Sequence, residues 1–276
     1  MAEIAVILHL FNLDLLPEFQ GYLRNLDQAA YAYDLYVAVP FNIELEPLRV
    51  IWPRAMLVPY ENRGFDIASF FTLSALALQH RNYTMLLKLH TKTLSSWRKA
   101  VIEPLCGSTD AVRKCVALFA DPNIGMVGAQ KWLLPMGRSW GIYAPHIQSI
   151  CSLWNVPLRD CQFIGGTMFW LRASVLRTAL EHVALEQAIA TFNTETSLDY
   201  PWYVLNYPDL PRHGVDSEAK ALAHWKKNGK LENRACNIIY ARRHNIPVLI
   251  DGMIEHAYER FLGLLVRSQN YSVRGV

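Results

Sequence analysis

Several common residue patterns are absent from this sequence, and each absence narrows what the protein can be. The five cysteines are an odd number and form no Cys-x-x-Cys pair, which argues against a disulfide scaffold or a zinc site and favours a reducing cytoplasm. The N-terminal residues lack the basic and long apolar segments of a signal peptide. Because no apolar run approaches the roughly 20 residues that span a bilayer, we expect a soluble, cytoplasmic protein.

Neither positive nor negative charge is in large excess. The formal net charge is only +3 over 276 residues, and the basic residues form no long run. Such a surface lacks a nucleic-acid footprint, but it suits an acidic small molecule or a neighbouring membrane surface. Arg267 and Arg274 near the C-terminus are too few for an anchoring patch. We therefore expect no nucleic-acid partner and leave peripheral membrane association open.

Standard catalytic signatures are missing as well. The sequence has no Walker-type phosphate loop, no Gly-x-Gly-x-x-Gly after a strand and no Gly-x-Ser-x-Gly elbow. These absences disfavour an NTPase, a dehydrogenase and a serine hydrolase. No His-x-x-x-His or His-Glu-x-x-His pair occurs either, so spacing gives no argument for a metal site.

What is present is a regular alternation of apolar segments. Short runs typical of buried strands alternate with segments that have helical apolar spacing, and 52% of the residues are hydrophobic. The predicted strands are 4–10, 35–39, 55–58, 85–90, 124–127, 163–171 and 248–250. The predicted helices are 15–26, 67–80, 97–105, 109–119, 144–154, 174–180, 185–192 and 254–266. This order favours an α/β fold with a mostly parallel sheet.

The stretch 199–237 differs in composition, because it is polar and aromatic and contains several prolines and glycines. We interpret it as a small helical insertion in a main domain formed by 1–198 and 238–276. One helix is expected from Asp216 to about residue 228, with Gly229 as its stop. Three aromatic residues of the insertion either bind sugar faces on the acceptor side or only pack the insertion down: Trp202, Tyr203 and Trp225.

The strand 85–90 ends in candidate site residues. His90, Thr91 and Lys92 follow an apolar run, at the carboxyl edge where open α/β sheets bind their ligands. A lysine and a titratable histidine suit a phosphate-bearing ligand there. The alternative is an ordinary polar turn.

Two further clusters contain glycine. Asn62, Arg63 and Asp66 lie around a glycine after the third strand, where they either bind a nucleotide or sugar or support a turn and a helix cap. Gly166 and Thr167 lie inside a predicted strand, which indicates either a ligand against the backbone or close helix packing.

Asp251 precedes the closing helix. A carboxylate in that position is either a helix cap or a general base that faces a ligand at the sheet edge. Glu255 and His256 follow within one turn and are the second choices for the base.

Taken together, these motifs resemble the rhamnan synthesis protein F family of polysaccharide glycosyltransferases. The matching motifs are Leu8-His9-Leu10-Phe11, Asn62-Arg63-Gly64-Phe65-Asp66, Lys88-Leu89-His90-Thr91-Lys92, Gly166-Thr167-Met168-Phe169-Trp170, Asp251-Gly252, His256-Ala257 and Glu259-Arg260. Two positions depart from the pattern, since Phe65 and Thr93 each replace a cation that the family often has.

The resemblance implies a GT-A-like, Rossmann-type domain that transfers a sugar, rhamnose from dTDP-rhamnose being the first expectation, onto a cell-surface polysaccharide or lipopolysaccharide. The acceptor would be a glycan or lipid-linked glycan at the inner face of the cell membrane. His90-Thr91-Lys92 stand where such enzymes usually carry a metal-binding Asp-x-Asp, which implies that no metal is required.

The implied mechanism is inverting, with Asp251 as the base and Lys92 and His90, assisted by Arg63, at the leaving diphosphate. Asn62 and Asp66 would hold the nucleotide or sugar, and Gly166 and Thr167 would lie beneath the donor sugar. Two alternatives remain open: a non-catalytic glycan-binding or assembly subunit that keeps the fold, and a nucleotidyltransferase.

Overall fold

The computed structural model describes residues 3–138 and 140–276. Its strands are β1 (Ile4–His9), β2 (Tyr33–Pro40), β3 (Met56–Tyr60), β4 (Met85–His90), β5 (Ile124–Gly128), β6 (Leu133–Pro135), β7 (Gln162–Ile164), β8 (Phe169–Arg172) and β9 (Ser272–Gly275). Its helices are α1 (Leu16–Gln28), α2 (Glu46–Ile51), α3 (Phe65–His80), α4 (Ser95–Cys106), α5 (Thr109–Leu118), α6 (Ala144–Leu153), α7 (Ala173–His182), α8 (Leu185–Ala190), α9 (Tyr200–Asn206), α10 (Asp209–Arg212), α11 (Glu218–His224), α12 (Ile238–Arg243) and α13 (Ile254–Ser268). Short 3-10 turns occupy Leu13–Leu15, Gln130–Trp132, Met136–Arg138 and Gly141–Tyr143, and a π-helical turn occupies Trp225–Gly229.

The described residues form a seven-stranded sheet in the order β3-β2-β1-β4-β8-β5-β9. The pairs β3–β2, β2–β1, β1–β4 and β5–β9 are parallel, whereas β8 runs antiparallel to both β4 and β5. Every residue of β1 and β4 is buried, as expected for central strands covered on both faces. The prediction of an α/β fold with a mostly parallel sheet is confirmed.

Two hydrophobic cores lie on opposite faces of the sheet. One combines Ile7 of β1 with residues of α3, α6, α7 and α13, including Phe71 and Tyr258. The other combines Leu8 with residues of α1, α4 and α5, including Phe19. Because successive strand residues point to opposite faces, the unbroken apolar run of β1 supplies both cores.

The predicted strand 163–171 is wrong as one element, because it divides into β7 and β8. These strands belong to different sheets, since β7 pairs with β6 in a separate two-stranded sheet. Between them Gly166 has a φ of 86° and Thr167 a φ of 52°. Left-handed backbone at two successive residues cannot continue a strand, so the chain turns there.

The predicted strand 248–250 is also wrong, because these residues have no regular structure. Side chains of the insertion satisfy the backbone of Leu249 instead. Its N–H donates to Asn206 Oδ1 at 2.7 Å, and its carbonyl accepts from Trp202 Nε1 at 3.1 Å. The strand beside β5 is β9, a short polar segment that the apolar pattern did not indicate.

The insertion is more finely divided than expected, since the helix predicted from Asp216 begins only after the Ser217 cap and passes into the π-helical turn. Two small apolar clusters form in this region. One contains Trp202 together with Ile238 and Ala241, and the other contains Tyr203 and Trp225. The domain boundaries 1–198, 199–237 and 238–276 remain predictions, and residues 1 and 2 lie outside the described part. Within that part, no helix is both long and apolar enough to cross a membrane.

Candidate functional site

The candidate site lies at the carboxyl ends of β1 and β4 and at the start of α3. His9 and His90 are the last residues of their strands and are directly paired in the sheet register. Both side chains are buried, and burial is the main cause that lowers the pKa of His9 to about 4 and that of His90 to about 3. Both imidazoles are therefore neutral at pH 7.

Lys88 connects three elements beneath this edge. Its Nζ donates to Asp66 Oδ2 at 2.5 Å and to the Thr167 carbonyl at 2.7 Å, and the side chain is 1% exposed. The Thr167 hydroxyl donates to the same Asp66 oxygen at 2.6 Å. His90 Nδ1 lies 3.4 Å from that oxygen. The structure thus brings the predicted residues Asp66, His90 and Thr167 into one buried network.

The charges of this network are coupled. Burial alone would raise the pKa of Asp66, but the Lys88 ammonium and the hydrogen bonds from Lys88 and Thr167 hold it well below its usual range. Burial lowers the pKa of Lys88, and the Asp66 carboxylate opposes that shift. We conclude that Asp66 and Lys88 form an ion pair that fixes α3 against the turn at Thr167.

The turn at Gly166 and Thr167 is held from a second side by Glu259 of α13. The Gly166 N–H donates to a carboxylate oxygen of Glu259, whose pKa is raised by burial. A Cβ added at Gly166 would lie 2.3 Å from the Trp97 ring, so only glycine fits here. The turn is therefore closely packed against Trp97, and a role of Gly166 and Thr167 beneath a donor sugar remains a prediction.

Lys92 lies on the exposed loop that follows β4. Its Nζ lies 5.3 Å from the centre of the Trp97 ring. The loop is anchored because Arg98 donates to the Lys92 carbonyl and forms an ion pair with Glu18 at 2.6 Å. An exposed ammonium on an anchored loop is available to an anionic ligand.

Asp251 lies in the exposed turn before α13, and it does not cap that helix. The N-cap residue is Met253, which makes no side-chain cap hydrogen bond. Tyr143 Oη instead donates to Asp251 Oδ1 at 3.2 Å. The Arg260 guanidinium lies 3.8 Å from the centre of the Tyr143 ring.

His256 lies in the first turn of α13, where its ring packs edge-on against Tyr143 with the ring centres 6.1 Å apart. Its pKa is lowered to about 4, chiefly by burial and further by the charges of Arg260 and Lys92, whereas Asp251 acts in the opposite direction. The neutral imidazole therefore lies beside the Tyr143 ring, whose hydroxyl contacts Asp251.

Arg63 and Asn62 occupy the turn before α3. The Arg63 guanidinium donates to the Phe192 carbonyl at 2.7 Å and 3.0 Å, which fixes it to the segment after α8. The Asn62 side chain lies beside the buried His9 imidazole and opposes, as a hydrogen-bond partner, the lowering of the pKa of His9. A direct role of Arg63 and Asn62 toward a donor remains a prediction.

The three aromatic residues of the insertion are buried. Trp202 and Tyr203 are 0% exposed and Trp225 is 2% exposed. Trp225 also donates from Nε1 to the Arg234 carbonyl at 3.2 Å. Their role on the acceptor side is untested, and their burial favours the packing alternative.

Four residues of the site belong to the matching motifs, but the sequence assigned them no role: His9, Lys88, Glu259 and Arg260. Lys88 is the one cation in an apolar strand, which is the signal that could have marked it. Nothing local marks Tyr143, because its contact with Asp251 joins residues far apart in the chain. Among the described residues, no three His, Cys, Asp or Glu side chains are grouped as a metal would need.

Comparison with protein families gives one extended match. A family model described as rhamnan synthesis protein F matches residues 1–196. Two curated relatives from strains of Xanthomonas campestris pv. campestris, both described as uncharacterized protein WxcX, are each 27% identical over 187 residues. The match covers 64% of this chain but 26% of each relative, so the chain spans about a quarter of their length.

Comparison with solved structures gives weaker likenesses. One is to a mannosyltransferase from Pyrobaculum calidifontis in complex with GDP-Man and Mn2+, with 17% identity, a TM-score of 0.37 and coverage of 64% of this chain and 46% of that chain. Another is to a 4-diphosphocytidyl-2C-methyl-D-erythritol synthase, with 10% identity, a TM-score of 0.36 and coverage of 69% and 84%. Neither likeness carries an argument about this chain.

Proposed function

The chain belongs to the rhamnan synthesis protein F family, and from this membership we propose that it is a glycosyltransferase domain of GT-A type. It transfers a sugar from a nucleoside-diphosphate donor onto a cell-surface polysaccharide or lipopolysaccharide glycan. The observation that carries the proposal is the set of polar side chains at the carboxyl ends of β1 and β4, where Asp66, Lys88 and Thr167 bind one another beside His90 and the exposed Lys92 follows on the next loop. The family's description supports rhamnose as the sugar, and dTDP-rhamnose is the proposed donor. A lipid-linked acceptor at the inner face of the membrane is part of the same proposal.

The proposed reaction is a single displacement with inversion. The acceptor oxygen forms a bond to the anomeric carbon while the bond from that carbon to the diphosphate oxygen breaks. The electron pair leaves with the diphosphate, which the Lys92 ammonium stabilises, and Asp251 takes the acceptor proton. Because His90 is neutral at pH 7, it contributes hydrogen bonding and not charge.

We further propose that the reaction requires no metal. Asp66 is a carboxylate beside His90 at this edge, and its Oδ2 already binds the Lys88 ammonium and the Thr167 hydroxyl. A metal would have to displace both contacts. Activity should therefore survive excess EDTA, whereas loss with EDTA and recovery with manganese or magnesium would overturn this part of the proposal.

The experiment that tests the function begins with a panel of nucleotide sugars in a thermal-shift assay. A donor that binds the folded protein raises its melting temperature. The selected donor is then used to measure sugar transfer and slow donor hydrolysis. A donor that binds without either turnover would favour the non-catalytic subunit, and nucleotide formation from sugar phosphate would favour the nucleotidyltransferase.

The variant Lys92→Ala makes the test specific. It should lose roughly 2 to 4 kcal/mol of transition-state stabilisation, because one preorganised charge at the leaving group is removed. Lys114→Ala, at an exposed position of α5, is the matched control. Unchanged turnover in Lys92→Ala would overturn the assignment of the diphosphate position.

A further inference from the structure

Asp251 lies in an environment that does not by itself fix a carboxylate. It is exposed, it lies in a turn followed by Gly252 at a φ of 86°, and it makes no cap contact with α13. A general base must be held within hydrogen-bond reach of the proton that it removes. Residues that orient Asp251 are therefore required if it acts as the proposed base.

Tyr143 supplies the contact. Its hydroxyl donates to Asp251 Oδ1 at 3.2 Å, which leaves Oδ2 for an acceptor hydroxyl. Burial raises the pKa of Tyr143, so the phenol keeps its proton and acts as a donor. The direction of the hydrogen bond is thus fixed.

Arg260 holds the Tyr143 ring in turn. Its guanidinium lies 3.8 Å from the centre of that ring and 5.0 Å from the centre of the Phe163 ring. It is itself fixed, because it donates to the His256 carbonyl at 2.7 Å and lies 3.1 Å from a Glu259 oxygen. A planar guanidinium stacked in this way restricts the ring as a lysine cannot.

Glu259, the residue before Arg260, contacts the donor-side turn at Gly166. It accepts from the Gly166 N–H at the glycine turn that we propose lies beneath the donor sugar. Two consecutive residues of α13 therefore contact both the proposed donor floor and the holder of the proposed base. A change in the distance between the Gly166 turn and Tyr143 would therefore have to move α13.

We propose that Tyr143 is a positioning residue for Asp251, and that Glu259 and Arg260 set the base and the donor-side turn at a fixed distance from each other. This inference rests on the proposed function, because it assigns a role relative to the transfer reaction.

A double-mutant cycle tests the inference. Tyr143→Phe keeps the ring and removes the hydroxyl, and it should lower kcat for transfer roughly 10-fold, the scale of one hydrogen bond to a charged group. The same substitution in an Asp251→Asn background should change kcat less than 2-fold, since the group that Tyr143 orients has already lost its basicity. Donor affinity should stay the same in all four proteins.

Tyr271→Phe is the matched control. It also removes one phenol hydroxyl, which lies 3.3 Å from Ser174 Oγ on another side of the molecule, and it should leave kcat unchanged. Arg260→Lys keeps the charge but loses the stacking plane, and it should lower kcat in the same direction as Tyr143→Phe. Glu259→Gln should instead raise the donor KM, because it acts on the Gly166 turn.

The outcomes separate this inference from the proposed function. If Asp251→Asn itself leaves transfer unchanged, the proposed base is wrong. If Asp251→Asn lowers transfer as expected and Tyr143→Phe lowers kcat by the same factor in both backgrounds, then Tyr143 does not act through Asp251, and the inference fails while the function stands.

Discussion

The first turn of α13 contains a buried carboxyl group, Glu255, whose two oxygens lack a hydrogen-bond partner among the described residues. Burial raises its pKa from 4.5 to about 8. At pH 7 the group is therefore mostly protonated, which suits a base poorly. The exposed Asp251 is the better candidate, although Glu255 follows only four positions later.

The raised pKa of Glu255 makes stability depend on pH. An acid with a higher pKa in the folded state binds its proton more tightly there, so stability falls as pH rises from 4.5 toward about 8. Glu255→Gln removes this term and should be more stable than the wild type by roughly 3 to 5 kcal/mol at pH 8, with little difference at pH 4. Chemical denaturation across this pH range measures the effect.

Glu186→Gln, at an exposed position of α8, controls for the change of net charge. A stability difference between Glu255→Gln and the wild type that stays constant from pH 4 to pH 8 would contradict the pKa assignment.

The most direct prediction at a single residue concerns Asp251. Asp251→Asn preserves the shape of the side chain and its contact with Tyr143, but it removes the proton acceptor. Turnover should fall by roughly 10² to 10⁴ while donor affinity changes little. A steady-state assay with separate titration of donor and acceptor measures both quantities, and equal losses in donor binding and turnover would indicate a donor contact instead.

At the scale of elements, the apolar pattern was sufficient to predict the limits of a strand that is buried along its whole length. β4 was predicted with its observed limits, Met85–His90, because every residue of it is buried. The same pattern failed at 163–171, where the apolar residues continue but Gly166 and Thr167 adopt left-handed backbone. Apolar periodicity indicates which residues are buried, but it does not indicate where the backbone is left-handed. Gly165 and Gly166 therefore suggested a turn without showing its position.

The ion pair of Lys88 and Asp66 connects β4 to α3, and its removal should destabilise both elements. Lys88→Met leaves the Asp66 carboxylate without its cation and should lower the free energy of unfolding by roughly 3 to 5 kcal/mol. The double variant with Asp66→Asn should recover part of the loss, because no uncompensated charge remains. Urea denaturation at pH 7 measures the wild type, both single variants and the double variant, and a double variant as unstable as the sum of the two single variants would contradict the pairing.

At the scale of the whole molecule, the candidate site is assembled from segments that are distant in the chain. His90 and Lys92 follow β4, Asp66 begins α3, and Asp251 precedes α13. The rule that ligands bind at the carboxyl edge of a sheet was enough to propose His90 and Lys92 as candidate site residues from the sequence. The contact of Tyr143 with Asp251 depends on how α13 packs against the 3-10 turn before α6, which no local pattern encodes.

The insertion provides the last prediction, because its aromatic residues were expected either to bind sugar or to pack. Trp225 is 2% exposed, its ring lies 4.5 Å from Lys230 Nζ, and Tyr240 packs edge-on against it at 5.5 Å. A ring enclosed in this way cannot present a face to a glycan unless the insertion opens. Trp225→Ala should therefore lower stability by roughly 3 to 5 kcal/mol and speed proteolysis within the insertion.

The same variant should leave the acceptor KM unchanged at a temperature where the insertion stays folded. Leu231→Ala, at a side chain that is 88% exposed in the same region, is the surface control and should affect neither quantity. A raised acceptor KM in Trp225→Ala without faster proteolysis would mean that the ring contacts the glycan, and that the insertion opens during the reaction. Constant KM with faster proteolysis would mean that the aromatic residues hold the insertion together, and that the acceptor is bound elsewhere along the edge beside Asp251.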